Sequence, residues 1–257
     1  MKKTIFFFLL LGTNFLLAQV LPDSTQLRAL EKFREDNGGN WIVRWDYTTG
    51  LPASVFGGKA EIKGNSPEIT ARKFLQKYSN LFKIDSDNSN LKFIGVTGND
   101  KMNYVKFRQV YNNILVYGTE YIITIDIDGA VLSAIGRHYP VDLNCATTAS
   151  LNKDEAFNRA KNDIGSSEKF KLYRSDLLIL PHKGKFILAW KMDVSTEVRG
   201  GSWKYFVDAN SGEVLEKHRV SSDAVETSSE DSKPSEPVGE VNPAIIQPTV
   251  NSGFAFH

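Results

Sequence analysis

The chain has 257 residues, 41% of them hydrophobic and 24% charged, with a formal charge of +1. This is enough to bury one large core or two smaller ones, and the charge balance gives no reason to expect nucleic acid or an anionic membrane as partner. A single cysteine, Cys145, excludes an internal disulfide, so stability has to come from packing. The mean charge conceals an asymmetry, because residues 221–257 hold six acids and one lysine.

Lys2 and Lys3 precede an apolar run from Thr4 to Ala18, and Gln19 follows. A basic start, a short apolar run and a small residue before a polar one predict a secretory signal peptide over 1–18, cleaved between Ala18 and Gln19. Gly12, Thr13 and Asn14 interrupt the run, and a spanning helix wants about 20 apolar residues. No stable membrane anchor is expected, and the protein is expected to be secreted or periplasmic.

Ser24 to Asp36 is polar with Leu27, Leu30 and Phe33 three apart, which predicts a short amphipathic helix ended by Gly38-Gly39. Trp41, Val43 and Trp45 alternate with Arg44 and Asp46 and predict a strand. A turn at Thr48-Thr49-Gly50 leads to a second strand closed by Gly57-Gly58. The tryptophans are expected to cover the sheet rather than to form a ligand platform. Ser66-Pro67-Glu68 is a helix start, and Ala71, Phe74, Leu75, Tyr78 and Phe82 carry one apolar face through to Phe82.

That face needs a sheet, and the stretch from Leu91 to His138 provides one. Val105, Phe107 and Gln109, then Ile123, Ile125 and Ile127, alternate with their neighbours, as residues of a half-buried sheet do. Asn112-Asn113 separates the first strand of Tyr104–His138 from the second, and Asp128-Gly129 the second from the third. A polar connection over 141–150 follows. Asn152 and Glu155 form a capping-box pattern before Ala156, Phe157, Ala160 and Ile164, with Gly165 as the stop. Strands are predicted at 171–180, 186–194, 203–209 and 213–220, turning at His182-Lys183-Gly184, Arg199-Gly200-Gly201 and Asn210-Ser211-Gly212. The fold class is therefore α+β, a helix on an antiparallel sheet in each half. Residues 221–257 open on a Ser-, Glu- and Pro-rich stretch with little to bury and are read as a disordered acidic tail. The tail ends in apolar Ile245-Ile246 and Phe254-Ala255-Phe256.

Catalytic templates fail on the residues. The four histidines, 138, 182, 218 and 257, do not form an HExxH helix, and there is no GxSxG elbow, phosphate loop or CxxC. Asp85 to Asn90 and Asp126 to Gly129 begin like calcium loops without completing one. No catalytic residue, metal ligand or cofactor is expected.

Phe107-Arg108-Gln109-Val110-Tyr111, a two-residue turn and Val116-Tyr117-Gly118 resemble the signature of the fungalysin/thermolysin propeptide domain. Asn113 stands where that family has Gly, and Asn also tolerates the left-handed conformation. Leu188 to Val194, including Trp190, and Phe206 to Leu215, including Asp208 and Gly212, resemble the PepSY domain that follows it. The resemblance implies two cystatin-like modules, a propeptide domain over 19–145 and a PepSY-like domain over 146–220. It also implies a partner, a secreted zinc metalloprotease, inhibited and helped to fold. No catalytic domain lies between Val220 and His257, so no catalytic residue carries over. Three readings stay open: a prosegment acting in trans, the front of a metallopeptidase whose catalytic part lies elsewhere, and a protein-binding module of the cell envelope. On the first, the tail enters the protease cleft.

Overall fold

The structure, a computed structural model, describes residues 19–164, 169–196 and 201–220. The readings placed on 1–18 and 221–257, on Gly165 and on Arg199-Gly200 lie outside them.

Helix α1 (Ser24–Asn37) starts at a reciprocal cap. The Asp23 carboxylate accepts from the Gln26 N–H, and the Gln26 side-chain carbonyl accepts from the Asp23 N–H. The buried face differs from the expected spacing. Leu27 is exposed, and Gln26 takes its place inside with Leu30 and Phe33. The reason is the Gln26 amide, which donates to the Gly50 carbonyl at 3.0 Å and so has a partner for its buried polar end.

Strands β1 (Ile42–Asp46) and β2 (Leu51–Ala60) form a hairpin. β2 does not stop at Gly57-Gly58 but runs on to Ala60 through an irregularity in its pairing with the next strand. Gly58 lies under the Trp41 indole, where a Cβ would overlap the ring. Trp41 is thus a core residue, edge-on to Phe33 at 5.0 Å.

The helix expected from Pro67 to Phe82 is two, α2 (Pro67–Lys77) and α3 (Ser79–Phe82). The break at Tyr78 re-aims the chain so that Phe74, Leu75, Leu81 and Phe82 are all fully buried. The Tyr78 hydroxyl meets the Asn37 amide of α1.

The remaining strands of the first half are β3 (Leu91–Gly98), β4 (Met102–Tyr111), β5 (Ile114–Leu115), β6 (Glu120–Asp126) and β7 (Val131–Arg137). Asn112 and Asn113 both take positive φ in the β4–β5 turn, the conformation a two-residue hairpin demands. The second strand of the expected meander is cut in two, because Val116–Thr119 leaves the ladder between β5 and β6. The seven-stranded sheet runs β1-β2-β7-β6-β4-β3, with β5 beside β4. Val55, Ala134, Ile123 and Val105 align across it and point at the helices, forming the main core with Phe74, Phe82 and Phe33. The adjacent row, Arg44–Ser54–Ile135–Ile122–Lys106, belongs to the opposite face.

Helix α4 (Lys153–Ile164) starts with the expected box, Asn152 N–H to Glu155 and Glu155 N–H to Asn152. It packs Ala156 and Ala160 on β8 (Phe170–His182), β9 (Lys185–Thr196), β10 (Gly201–Asp208) and β11 (Val214–Val220), ordered β11-β10-β9-β8. The molecule is therefore α+β, with two antiparallel sheets and helices on one face of each.

Candidate functional site

The Phe-x-Gln-x-Tyr pattern runs from the main core, at Phe107, to where the two sheets meet, at Tyr111. β4 alternates, so Phe107 points into the core, where it lies 6.0 Å from Phe93 and under the Arg72 guanidinium. Gln109, on the same face two residues on, is also buried. Its side chain behaves as a peptide group. Its amide nitrogen donates to the Tyr139 carbonyl and its oxygen accepts from the Tyr139 N–H, both at 2.9 Å. A chain segment outside any strand is thereby paired as if it were one. Gln109→Leu keeps the volume and abandons both backbone groups. Unpaired buried groups cost about 1–3 kcal/mol each, so urea unfolding should show a loss of about 2 kcal/mol or more.

The excursion at Val116–Thr119 explains the second half of the pattern. The Val116 N–H still donates to the Gln109 carbonyl, but Val116 also bridges Ile179 of β8, and the Tyr117 N–H donates to the Ile179 carbonyl at 2.8 Å. Gly118 takes φ +74° and turns the chain back. Thr119 then closes the detour, accepting from the Gln109 N–H and donating to the Val116 carbonyl. Val116 is buried with Leu143, Ile179, Leu188 and Ala209, and Tyr111, Tyr139 and Cys145 pack around them. Burial pushes the Cys145 thiol up. Tyr117 lies edge-on to Phe206 at 4.8 Å, on the other face of the small sheet.

Gln109, Tyr111, Val116, Tyr117 and Gly118 are thus brought together near the junction of the sheets, while Phe107 lies in the main core. Trp190 joins them from β9, packing against both the Val116 cluster and the α4 core, and its indole N–H donates to the Leu151 carbonyl. Asp208 and Gly212 stand apart, in the β10–β11 turn. The Asp208 carboxylate accepts from the Asn210 and Ser211 N–H groups, and Gly212 takes φ +76° against Leu151 and Arg159. Gln19 is an exposed residue at the start of the described chain, and Ala18 lies before it.

Two constellations have no signal in the sequence. Glu216 of β11 lies between His182 at 2.8 Å and His218 at 3.1 Å, although β8 and β11 are opposite edges of the sheet. The end of the β8–β9 hairpin beyond Ala189 therefore curls across the face. Burial works to raise the Glu216 carboxyl, and the two imidazole hydrogen bonds outweigh it and hold its pKa below the usual range. The second is His138, buried against the Phe82 carbonyl and Tyr121. Burial lowers its pKa, so the neutral ring is the native form. The unfolded chain takes up the proton first, and this contribution to stability is present above the ordinary histidine value of 6.5 and is lost as pH falls below it. Stability measured from pH 7 to 5 should decline in the wild type and stay flatter in His138→Gln.

Among the described residues no three His, Cys, Asp or Glu gather as a metal group. The two acidic loops serve their own turns: Asp87 accepts from the Ser89 N–H, and Asp126 pairs with Lys59 and the Ala130 N–H. A cleft of about 470 Å³ lies between the α1 start and Pro140-Val141, and its acid, Asp23, is held by the α1 cap and by Lys83 at 2.6 Å. No described helix is long and apolar enough to cross a membrane.

Residues 96–137 match the Fungalysin/Thermolysin Propeptide Motif, a stretch that runs from the end of β3 through β7 and includes the excursion between β5 and β6. The chain is 26% identical over 197 residues to Neutral protease B of Bacillus subtilis (strain 168), covering 72% of this chain and 36% of that one. It is 27% identical over 172 residues to Bacillolysin of Brevibacillus brevis, covering 62% and 33%. It thus spans about a third of the length of these relatives (36% and 33%). Among solved structures, the Bacillus megaterium YpeB C-terminal domain shares 13% identity, with 79% of this chain and 99% of that one covered at a TM-score of 0.35. The chain carries a fungalysin/thermolysin propeptide motif and is prosegment-like, similar to part of the thermolysin-type neutral proteases.

Proposed function

We propose that this protein is exported and binds a thermolysin-type zinc metalloprotease, holding it inactive and assisting its folding, with residues 146–220 acting as a PepSY-like second module. The observation that carries this reading is the motif match over residues 96–137, a region of paired strands with one excursion between β5 and β6. Its polar groups are spent on backbone pairing: Gln109 on Tyr139, Thr119 on the detour. A preorganised surface binds another protein without a large ordering cost, and about 800 Å² per partner is a standard interface.

The test is titration of purified protein against a panel of thermolysin-like enzymes, following peptide hydrolysis and recovery of activity after denaturation. Saturable inhibition together with faster or fuller refolding is expected. No change in either, across the panel, overturns the reading.

A further inference from the structure

The larger sheet has helices on one face only. On the other, Arg44–Ser54–Ile135–Ile122–Lys106 lie side by side across five strands, with Ile42 and Phe56 paired in the next row. Ile42 is 51% and Ile135 47% exposed, in strands where a β-branched side chain normally packs against something. Arg44, whose guanidinium stacks on Phe56, and Lys106 bracket this apolar strip with positive charge. Ile42, Phe56, Ile135 and Ile122 thus leave a partly exposed apolar strip on a face that carries no described helix.

We propose that residues 221–257 of this chain cover that face. Their chemistry is its complement. Asp223, Glu226, Glu230, Asp231, Glu236 and Glu240 set six carboxylates against one lysine, and the apolar Ile245-Ile246 and Phe254-Ala255-Phe256 follow. The segment starts directly after β11. At roughly 3.3 Å per extended residue its reach exceeds the span of the fold, and the tether supplies an effective concentration on the order of millimolar. Carboxylates meeting Arg44 and Lys106 orient the segment, and its isoleucine and phenylalanine side chains exclude water from Ile42, Ile135 and Phe56. The contact does not depend on a protease partner.

The test is the alkylation rate of a thiol at position 135. Ile135→Cys is made in a Cys145→Ser background and treated with a maleimide in three forms. These are the full chain, the chain ending at Val220, and the full chain with the six acids changed to their amides. The last keeps the whole polypeptide, so the comparison survives if truncation harms folding. The full chain should react at least about fivefold more slowly than the other two, the protection that about 80% occupancy gives. The difference should shrink in about 0.5 M salt, where charge attraction is screened within a few ångströms. Equal rates in the three forms overturn the proposal. So does protection that grows with protein concentration and tracks a doubled mass in sedimentation, which would make the cover a second copy.

Discussion

Phe74→Ala should lower the unfolding free energy by about 3–5 kcal/mol, the range for emptying a buried aromatic site. Phe74 is the hub of the main core. It is fully buried, with ring centres 6.1 Å from Phe33, 5.3 Å from Tyr78 and 5.7 Å from Phe82. These partners come from α1, α3 and the break between α2 and α3, so the void is walled by elements that cannot collapse together. Edge-to-face ring pairs add about 0.5–1.5 kcal/mol beyond burial, and several are lost at once. Urea unfolding followed by tryptophan emission reads the change, since Trp41 touches Phe33. A loss below about 1 kcal/mol, the size of an ordinary surface substitution or little more, would show that the helices repack freely on the sheet.

Ile179→Ala should cost about 2–5 kcal/mol and change the shape of the transition as well as its midpoint. Ile179 is fully buried at the only parallel bridge between the described sheets, opposite Val116. Each sheet has its own helix-backed core, and the cluster of Val116, Leu143, Ile179, Leu188 and Ala209 joins them. Weakening the joint while leaving both cores intact should split one cooperative unfolding step into two. Differential scanning calorimetry is the measurement. A single peak whose calorimetric and van't Hoff enthalpies still agree would mean that the sheets are coupled elsewhere.

What could be read in the residues alone was local. Asn112-Asn113 announces its hairpin because few other residues accept positive φ twice in succession. Asn152 and Glu155 announce their cap because both partners lie within one turn. The rest depended on pairs far apart in sequence. Nothing at Gln109 shows that its amide will pair with Tyr139, 30 residues on, nor at His182 that Glu216 waits 34 residues away. The choice of Gln26 over Leu27 as the buried residue was settled by the Gly50 carbonyl, 24 residues downstream. The break at Tyr78 likewise follows from the α1 side chains it meets, against a helical periodicity that continues through it. For the candidate site, the sequence drew attention to the stretch from Phe107 to Gly118, and only the fold revealed that Val116 and Tyr117 leave one sheet to hold the other.

The Val116–Thr119 excursion has a mechanical consequence. A tug on β8 is passed through the Tyr117 N–H to Ile179 bond into a short loop whose other end is fastened at Gln109. Gln109 in turn grips Tyr139, next to the link that leads toward α4. Load entering either half is therefore shared among three nearby anchor points instead of running along the connecting polypeptide, and the angle between the halves is fixed by a few buried backbone contacts rather than by linker length.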